Sequence, residues 1–140
     1  MNSEIINAMR ISAMGMRAQG TRLRVITENV ANAETTGTTP GSDPFARQVI
    51  TFKNEMDRDA GVRLVEVDDI ASDTNTEFPL KFIPDHPAAN AEGYVKMPNV
   101  NPMIEIMNVR EAQRSYEANL GMIDQARSML QRTVDLLRTR

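Results

Sequence analysis

Cysteine and tryptophan are absent from this chain, histidine occurs once, and aromatic residues make up only 4% of it. Without cysteine there can be no disulfide, no thiol nucleophile and no zinc-finger site. Such a chain suits either the cytosol or a route out of the cell that uses no oxidative stapling. The shortage of aromatics leaves few large rigid groups for a core, while methionine is plentiful at ten residues. Methionine is pliable and packs irregular surfaces, including surfaces made with partners. Positive charge is not in excess either: the formal net charge is −3 and the pI about 5.2, so bulk nucleic-acid binding is not favoured. No apolar run is long enough to span a bilayer. The opening MNSEIINAMRISAMGMRAQG carries Glu4, Arg10 and Arg17 and lacks the basic, apolar, small-residue order of a cleaved signal peptide. Export, where it occurs, is expected through a machine that accepts unprocessed chains.

What is present falls into three regions of one elongated unit: a core helix in residues 1–36, a β-rich insert in 37–101, and a second core helix in 102–140. In the first, Ile5, Met9, Met16, Leu23, Ile26 and Val30 recur at spacings of three, four or seven, with Ser12 and Gln19 filling the seam. Ile6, Ala13 and Gly20 widen the stripe. The spacing predicts an amphipathic helix with a coiled-coil-like seam over about 3–33, with Ser3 as its N-cap. Thr35 to Gly41 should stop it, because β-branched residues, glycines and Pro40 cluster there. In the last region Val109, Ala112, Tyr116, Asn119, Ile123, Ala126, Leu130, Thr133 and Leu137 alternate by three and four, and Met122, Met129 and Leu136 form a further column spaced by seven. A helix over 102–137 is predicted, with Pro102 tolerated in the first turn.

The middle changes period. Residues 47–52 and 62–67 read as short strands, and 78–83 as a weaker one demoted by Pro79 to an edge. Residues 54–61 read as turn-like and 68–77 as an acidic, mobile stretch. The expected fold is mainly α: an antiparallel coiled-coil-like hairpin of terminal helices with a small β-rich insert. Two such helices bury too little on each other to offset the chain entropy of ordering them. Neighbouring subunits are expected to cover the rest, so Met9, Met16, Leu23, Ile26, Val30, Val109, Tyr116, Asn119, Ile123 and Leu130 are the candidate packing and assembly residues. Two charge columns spaced by seven, Arg10–Arg17–Arg24 and Arg110–Glu117–Asp124, read either as solvated faces or as contacts that set the stagger of adjacent subunits.

Sites for bond chemistry are missing. His86 sits in a Pro-bounded turn with no nucleophile or second ligand beside it, and reads as structural. Neither a phosphate-binding P-loop nor a dinucleotide fingerprint occurs. Asp57, Asp59, Asp68, Asp69 and Asp73 suggest calcium, but the EF-hand order fails: counting from Asp57, the glycine position holds Val62, and from Asp73 it holds Phe78. No catalytic residue, metal or cofactor is therefore expected, nor a nucleic-acid or small-molecule ligand.

The segment from Glu28 to Thr36, with Asn29, Asn32, Thr35 and Thr36, resembles the N-I-A-N-A-x-T-T signature of flagellar axial proteins. A longer run is more specific. Gly93, Tyr94, Pro98, Asn99, Val100 and Asn101, continued by Glu105, Met107 and Arg114 to Asn119, resemble the GYV-x-x-PNVN…E-M…RSYEAN pattern of the FlgC-type proximal rod family. The tail from Ala126 to Thr133 continues the match. Gly37, Phe45, Met103 and Ile104 depart from it. The resemblance implies a structural subunit of the flagellar basal-body rod in the periplasm, exported by the flagellar type III apparatus without signal cleavage. It also implies terminal helices in a tubular core that transmits torque and encloses the export channel. The implied partners are other rod proteins, copies of itself, and the adaptor joining rod to export gate. A regulatory adaptor whose helical hairpin captures a partner helix remains a second reading, and an acid–base hydrolase using Asp57, Asp59, Asp68 and His86 a distant third.

Overall fold

The computed structural model describes residues 2–138. In chain order the elements are α1 (Asn2–Ala31), β1 (Gln48–Asp57), β2 (Val62–Ser72), β3 (Leu80–Phe82), β4 (Tyr94–Lys96) and α2 (Pro102–Arg138). Both terminal helices thus form where apolar spacing predicts them. Residues 1, 139 and 140, which the expected outer regions include, lie outside the described residues.

Each helix end has a local chemical reason. Asn101 is the N-cap of α2: its Oδ1 accepts from the Met103 N–H at 3.0 Å and the Ile104 N–H at 3.4 Å, and Pro102 follows with no N–H to satisfy. At the end of α1, the Asn32 backbone N–H and its Nδ2 both donate to the Glu28 carbonyl, at 3.1 and 2.9 Å. The Thr35 hydroxyl then donates to Asn32 Oδ1 at 3.1 Å. Ser3 lies inside α1 rather than ahead of it, so it is not the N-cap.

The insert corrects the sequence expectation. β1 and β2 pair as a two-stranded ribbon, and both run further than apolar alternation suggests, through Asn54–Asp57 and Asp68–Ser72. The outer parts are mostly exposed, so backbone pairing holds polar residues in strands that show no buried face. The turn is confined to residues 58–61. Asp57 Oδ1 accepts from the Asp59 and Ala60 N–H groups at 3.1 and 3.2 Å, an Asx turn, and Gly61 closes it at φ +67°. β3 and β4 form a second two-stranded antiparallel sheet with Leu80 opposite Lys96 and Phe82 opposite Tyr94. Pro79 stands just before β3, in agreement with its edge reading; β4 carried no separate strand signal because it is only three residues long.

The chain divides into two compact units. In the unit of residues 2–23, 51–69 and 111–138, the tightest burial is at Ile5, Ser12, Ala18, Ala112 and Ala126. Here α1 and α2 meet in opposite chain order. Arg22 Nη2 lies 2.9 Å from Glu111 Oε2, a Cβ on Gly15 would stand 2.9 Å from the Asn119 amide, and Ile5 and Ala126 line one groove. The ribbon turn is held by α1: Arg10 Nη1 pairs with Asp57 Oδ2 at 2.7 Å and Asn7 Nδ2 donates to the Ala60 carbonyl at 3.3 Å. The unit of residues 24–50 and 70–110 buries Val25, Ile26, Asn29, Ala88, Val95 and Glu105.

Candidate assembly interface

The second unit contains a polar joint that ties together the end of α1, the start of β1 and the start of α2. Asn29, only 1% exposed, uses its side-chain amide as a strand would use its backbone. Its Oδ1 accepts from the Gln48 N–H at 2.8 Å and its Nδ2 donates to the Gln48 carbonyl at 2.9 Å. Asn99 does the same work one residue earlier on β1's approach. Its Oδ1 accepts from the Arg47 N–H at 2.7 Å, while its Nδ2 donates to the Asp73 and Thr76 carbonyls, both at 3.1 Å. Arg47 Nε in turn donates to Glu105 Oε1 at 2.7 Å. Glu105 is 1% exposed, and its Oε2 is buried without a protein partner. A buried carboxylate held by one arginine is costly to disturb, since removing either partner strands a charge or donor.

Around the joint, loops are fixed by short polar devices. Asp73 accepts from Thr76 through hydroxyl and N–H and from the Asn75 N–H. The Thr76 hydroxyl first, and then the Thr76 and Asn75 N–H groups, lower the Asp73 pKa. The segment 68–77, expected to be mobile, continues β2 as far as Ser72 and is then tied by these bonds. His86 Nδ1 accepts from the Ala88 N–H at 3.1 Å and its Nε2 faces the Thr36 hydroxyl at 3.3 Å. The ring pins the Pro-bounded turn to the residues after α1. Gly93 sits at φ +85° with Phe82 packed so close that a Cβ would lie 2.8 Å from its ring; Phe82 meets Tyr94 edge-on at 5.3 Å.

The sequence-predicted residues divide accordingly. Of the packing set, Ile26 is buried, whereas Met9, Met16, Leu23, Val30, Val109, Tyr116, Asn119, Ile123 and Leu130 are half-buried. The buried positions outside that set include Val25 and Val95 together with small or polar residues: Ser12, Ala18, Asn29, Ala88, Glu105, Ala112 and Ala126. Of the motif set, Asn29, Gly93 and Pro98 are buried, and Asn32, Thr36, Asn99 and Val100 half-buried; Thr35, Tyr94 and Asn101 are exposed. The structure brings Asn29, Asn99 and Asn101 into the joint and its helix cap. Sequence reasoning missed Arg47 and Glu105 as an ion pair, because 58 residues separate them. The Asn101-Pro102 pair is a helix-start signal that was available.

Outside these tied regions, a large apolar area remains uncovered. At the start of α2, Met103, Ile104, Ile106 and Met107 are 68%, 52%, 43% and 66% exposed. Further along the helix Leu120, Met122, Met129, Val134, Leu136 and Leu137 are exposed as well. Exposed apolar side chains grouped on a helix, as at Met103–Met107, are a candidate contact surface for other proteins. Among the described residues no group of histidine, aspartate and glutamate side chains is arranged to hold a metal ion.

Residues 9–38, which include Asn29 and Asn32, match the family model described as flagella basal body rod protein. Residues 91–136 match the model described as flagellar basal body rod FlgEFG protein C-terminal. A flagellar basal-body rod protein FlgC of Agrobacterium fabrum is 47% identical over 94% of both chains. The proteins of the same name from Escherichia coli O6:H1 and Salmonella typhimurium are 33% and 34% identical, over 94% of this chain and 97% of theirs. The chain belongs to the FlgC family of flagellar basal-body rod proteins. It is a structural rod protein and not an enzyme, which removes the hydrolase reading. In this FlgC-family chain, Asn29 falls within the first matched segment, and Asn99 and Asn101 within the second.

Proposed function

We propose that this chain is a proximal-rod subunit whose two terminal helices, residues 1–36 and 102–140, form an antiparallel coiled-coil-like hairpin in the wall of a tube. Residues 37–101 lie outward on that tube. The wall encloses the export channel and carries torque as a drive shaft. The partners are other rod proteins, further copies of this chain, and the adaptor between rod and export gate. The chain reaches the periplasm through the flagellar type III apparatus without signal cleavage.

One observation carries this reading: the exposed Met103–Ile104–Ile106–Met107 face of α2, which the chain's own residues leave open to water. In a tube, neighbouring helices bury such a face, and association stabilises the folded form by mass action. The opposite chain order of the Arg22–Glu111 and Gly15–Asn119 contacts supports the hairpin. The packing residues Met9, Met16, Leu23, Ile26, Val30, Val109, Tyr116, Asn119, Ile123 and Leu130 act within or beside its seam.

The test is complementation of a strain lacking the gene. Wild type should restore swimming and appear in purified basal bodies. A chain with Ile106→Glu and Met107→Glu should keep monomer helicity by circular dichroism, yet be absent from basal bodies and leave cells non-motile. Normal rods built with that variant would sink the reading. A finite cytosolic heterodimer in place of rod incorporation would favour the adaptor reading.

A further inference from the structure

The Arg10–Arg17–Arg24 column is not uniform in the structure. Arg10 is tied to Asp57 at 2.7 Å and Arg24 to Glu28 at 2.7 Å, one helical turn on. Both are engaged by their own chain, at exposed positions. Among the described residues, no hydrogen bond or ion pair reaches the Arg17 guanidinium, and the residue is exposed. Arg17 stands instead at the edge of a groove between α1 and β2, about 240 Å³ in volume, lined also by Met14, Ala18, Thr21, Val65, Glu66 and Val67. The groove offers apolar material from four of these side chains with a single unpaired cation on its α1 edge.

The same unit carries a surface of matching chemistry on α2. Glu117, Leu120 and Asp124 are spaced by three and four, so they share one helix face. Leu120 is 43% exposed, and it stands between two exposed carboxylates that no described residue engages. Gly121 lies on the same face, and a Cβ placed there would meet nothing within 4 Å.

We propose that the Arg17 groove receives the Leu120 knob of a second copy of this chain, with Glu117 and Asp124 of that copy flanking the Arg17 guanidinium. Apolar burial supplies the attraction and the two carboxylates fix orientation along the helix. Glu66 on the β2 side of the rim repels an acid that enters from that side, which selects the approach over Arg17. Groove and knob are different surfaces of one chain, so the contact is heterologous and propagates from copy to copy instead of closing as a pair. The proposal rests on the rod-subunit reading and names one contact within it.

The test uses basal bodies from cells whose only copies of this gene encode the Thr21→Cys and Leu120→Cys chains, one substitution in each. The natural chain has no cysteine, so within this chain mild oxidation acts only at the introduced thiols. A mixed crosslinked dimer should dominate over either homodimer. Arg17→Glu in the Thr21→Cys chain should lower its yield about tenfold, and Glu117→Arg with Asp124→Arg in the other chain should restore it. Gly121→Leu, whose Cβ meets nothing within 4 Å in its own chain, should block the crosslink while monomer helicity stays intact. Basal bodies that contain both chains but yield no mixed dimer, a mixed dimer indifferent to Arg17→Glu, or crosslinking of Thr21→Cys to a different rod protein alone would each overturn the proposal and leave the rod reading standing. Exclusion of the wild-type chain from basal bodies would instead overturn the rod reading and this contact with it.

Discussion

The side chain of Asn29 and the backbone of Gln48 exchange two hydrogen bonds, at 2.8 and 2.9 Å, across the gap between the last turns of α1 and the first residue of β1. A side-chain amide has the same donor and acceptor as a peptide group, so an asparagine on a helix can stand in for a missing neighbouring strand. Asn29→Ala leaves both Gln48 groups without their partner in a buried setting and should cost about 2–3 kcal/mol in urea unfolding. Asn29→Asp keeps the acceptor but sets an oxygen against the Gln48 carbonyl, and should recover little of that loss at neutral pH. Full stability in the Asn29→Asp chain would show that the Nδ2 bond contributes nothing.

The Arg47–Glu105 pair should show an asymmetry. Arg47→Met strands a carboxylate that is 1% exposed and should destabilise by about 2–3 kcal/mol, near the lower end for a buried pair because Arg47 is part-exposed. Replacing both, Arg47→Met with Glu105→Leu, should cost less than the single change, since no charge is then left buried. Thermal unfolding of the single and double variants decides it; additive losses would mean the two groups do not interact.

Gly15 and Asn119 mark a close approach of the two helices. A Cβ at Gly15 would come within 2.9 Å of Asn119 Nδ2, and that amide is held by the Ser115 carbonyl at 3.0 Å. In the Asn119→Ala background, Gly15→Ala should stabilise by about 1 kcal/mol, the usual helix gain over glycine. In the wild-type background most of that gain should vanish, because Asn119 must move. Equal effects in both backgrounds would place the contact elsewhere.

Acid should loosen the insert at two defined points. The Asp57 carboxyl is held below its ordinary pKa of 3.8, chiefly by the Ala60 N–H, with help from Arg10 and the Asp59 N–H against partial desolvation. Asp73 is lowered in the same direction, chiefly by Thr76. A folded-state pKa below the unfolded one means the stabilisation is present above about pH 3.8 and is lost as pH falls through the lowered value. Carboxyl resonances of Asp57 and Asp73 should titrate below those of an exposed reference aspartate, and Asp57→Asn should flatten the acid limb of stability. A titration of either group above pH 4 would contradict the assigned bonds.

The positions of the helices were readable because α1 and α2 each keep a long three-four apolar spacing, and nearest-neighbour geometry in a helix converts that spacing directly into a stripe. What the stripe touches was less readable. Met9 and Met16 end half-buried, while Ser12, Ala112 and Ala126 occupy the deepest line, since close backbone approach favours small side chains that hydrophobicity does not single out. The ribbon shows the reverse problem. Strand residues wet on both sides, such as Asn54 and Asp68, carry no alternation to detect, so the pairing of β1 with β2 becomes visible only once the backbone bonds are seen.

The local order of the chain alone determined two terminal helices, their stopping points, the lack of cysteine and of nucleotide-binding motifs, and the asparagine-rich signatures. These depend on interactions between residues a few positions apart, or on residue types that are simply present or missing. Tertiary structure decided the rest. It made Asn29 and Asn99 into substitutes for strand backbone, set Arg47 on Glu105, satisfied Arg10 and Arg24 within the chain, and left Arg17 open beside a groove. Each of those outcomes depends on groups brought together from distant parts of the chain, by packing that no short-range pattern contains.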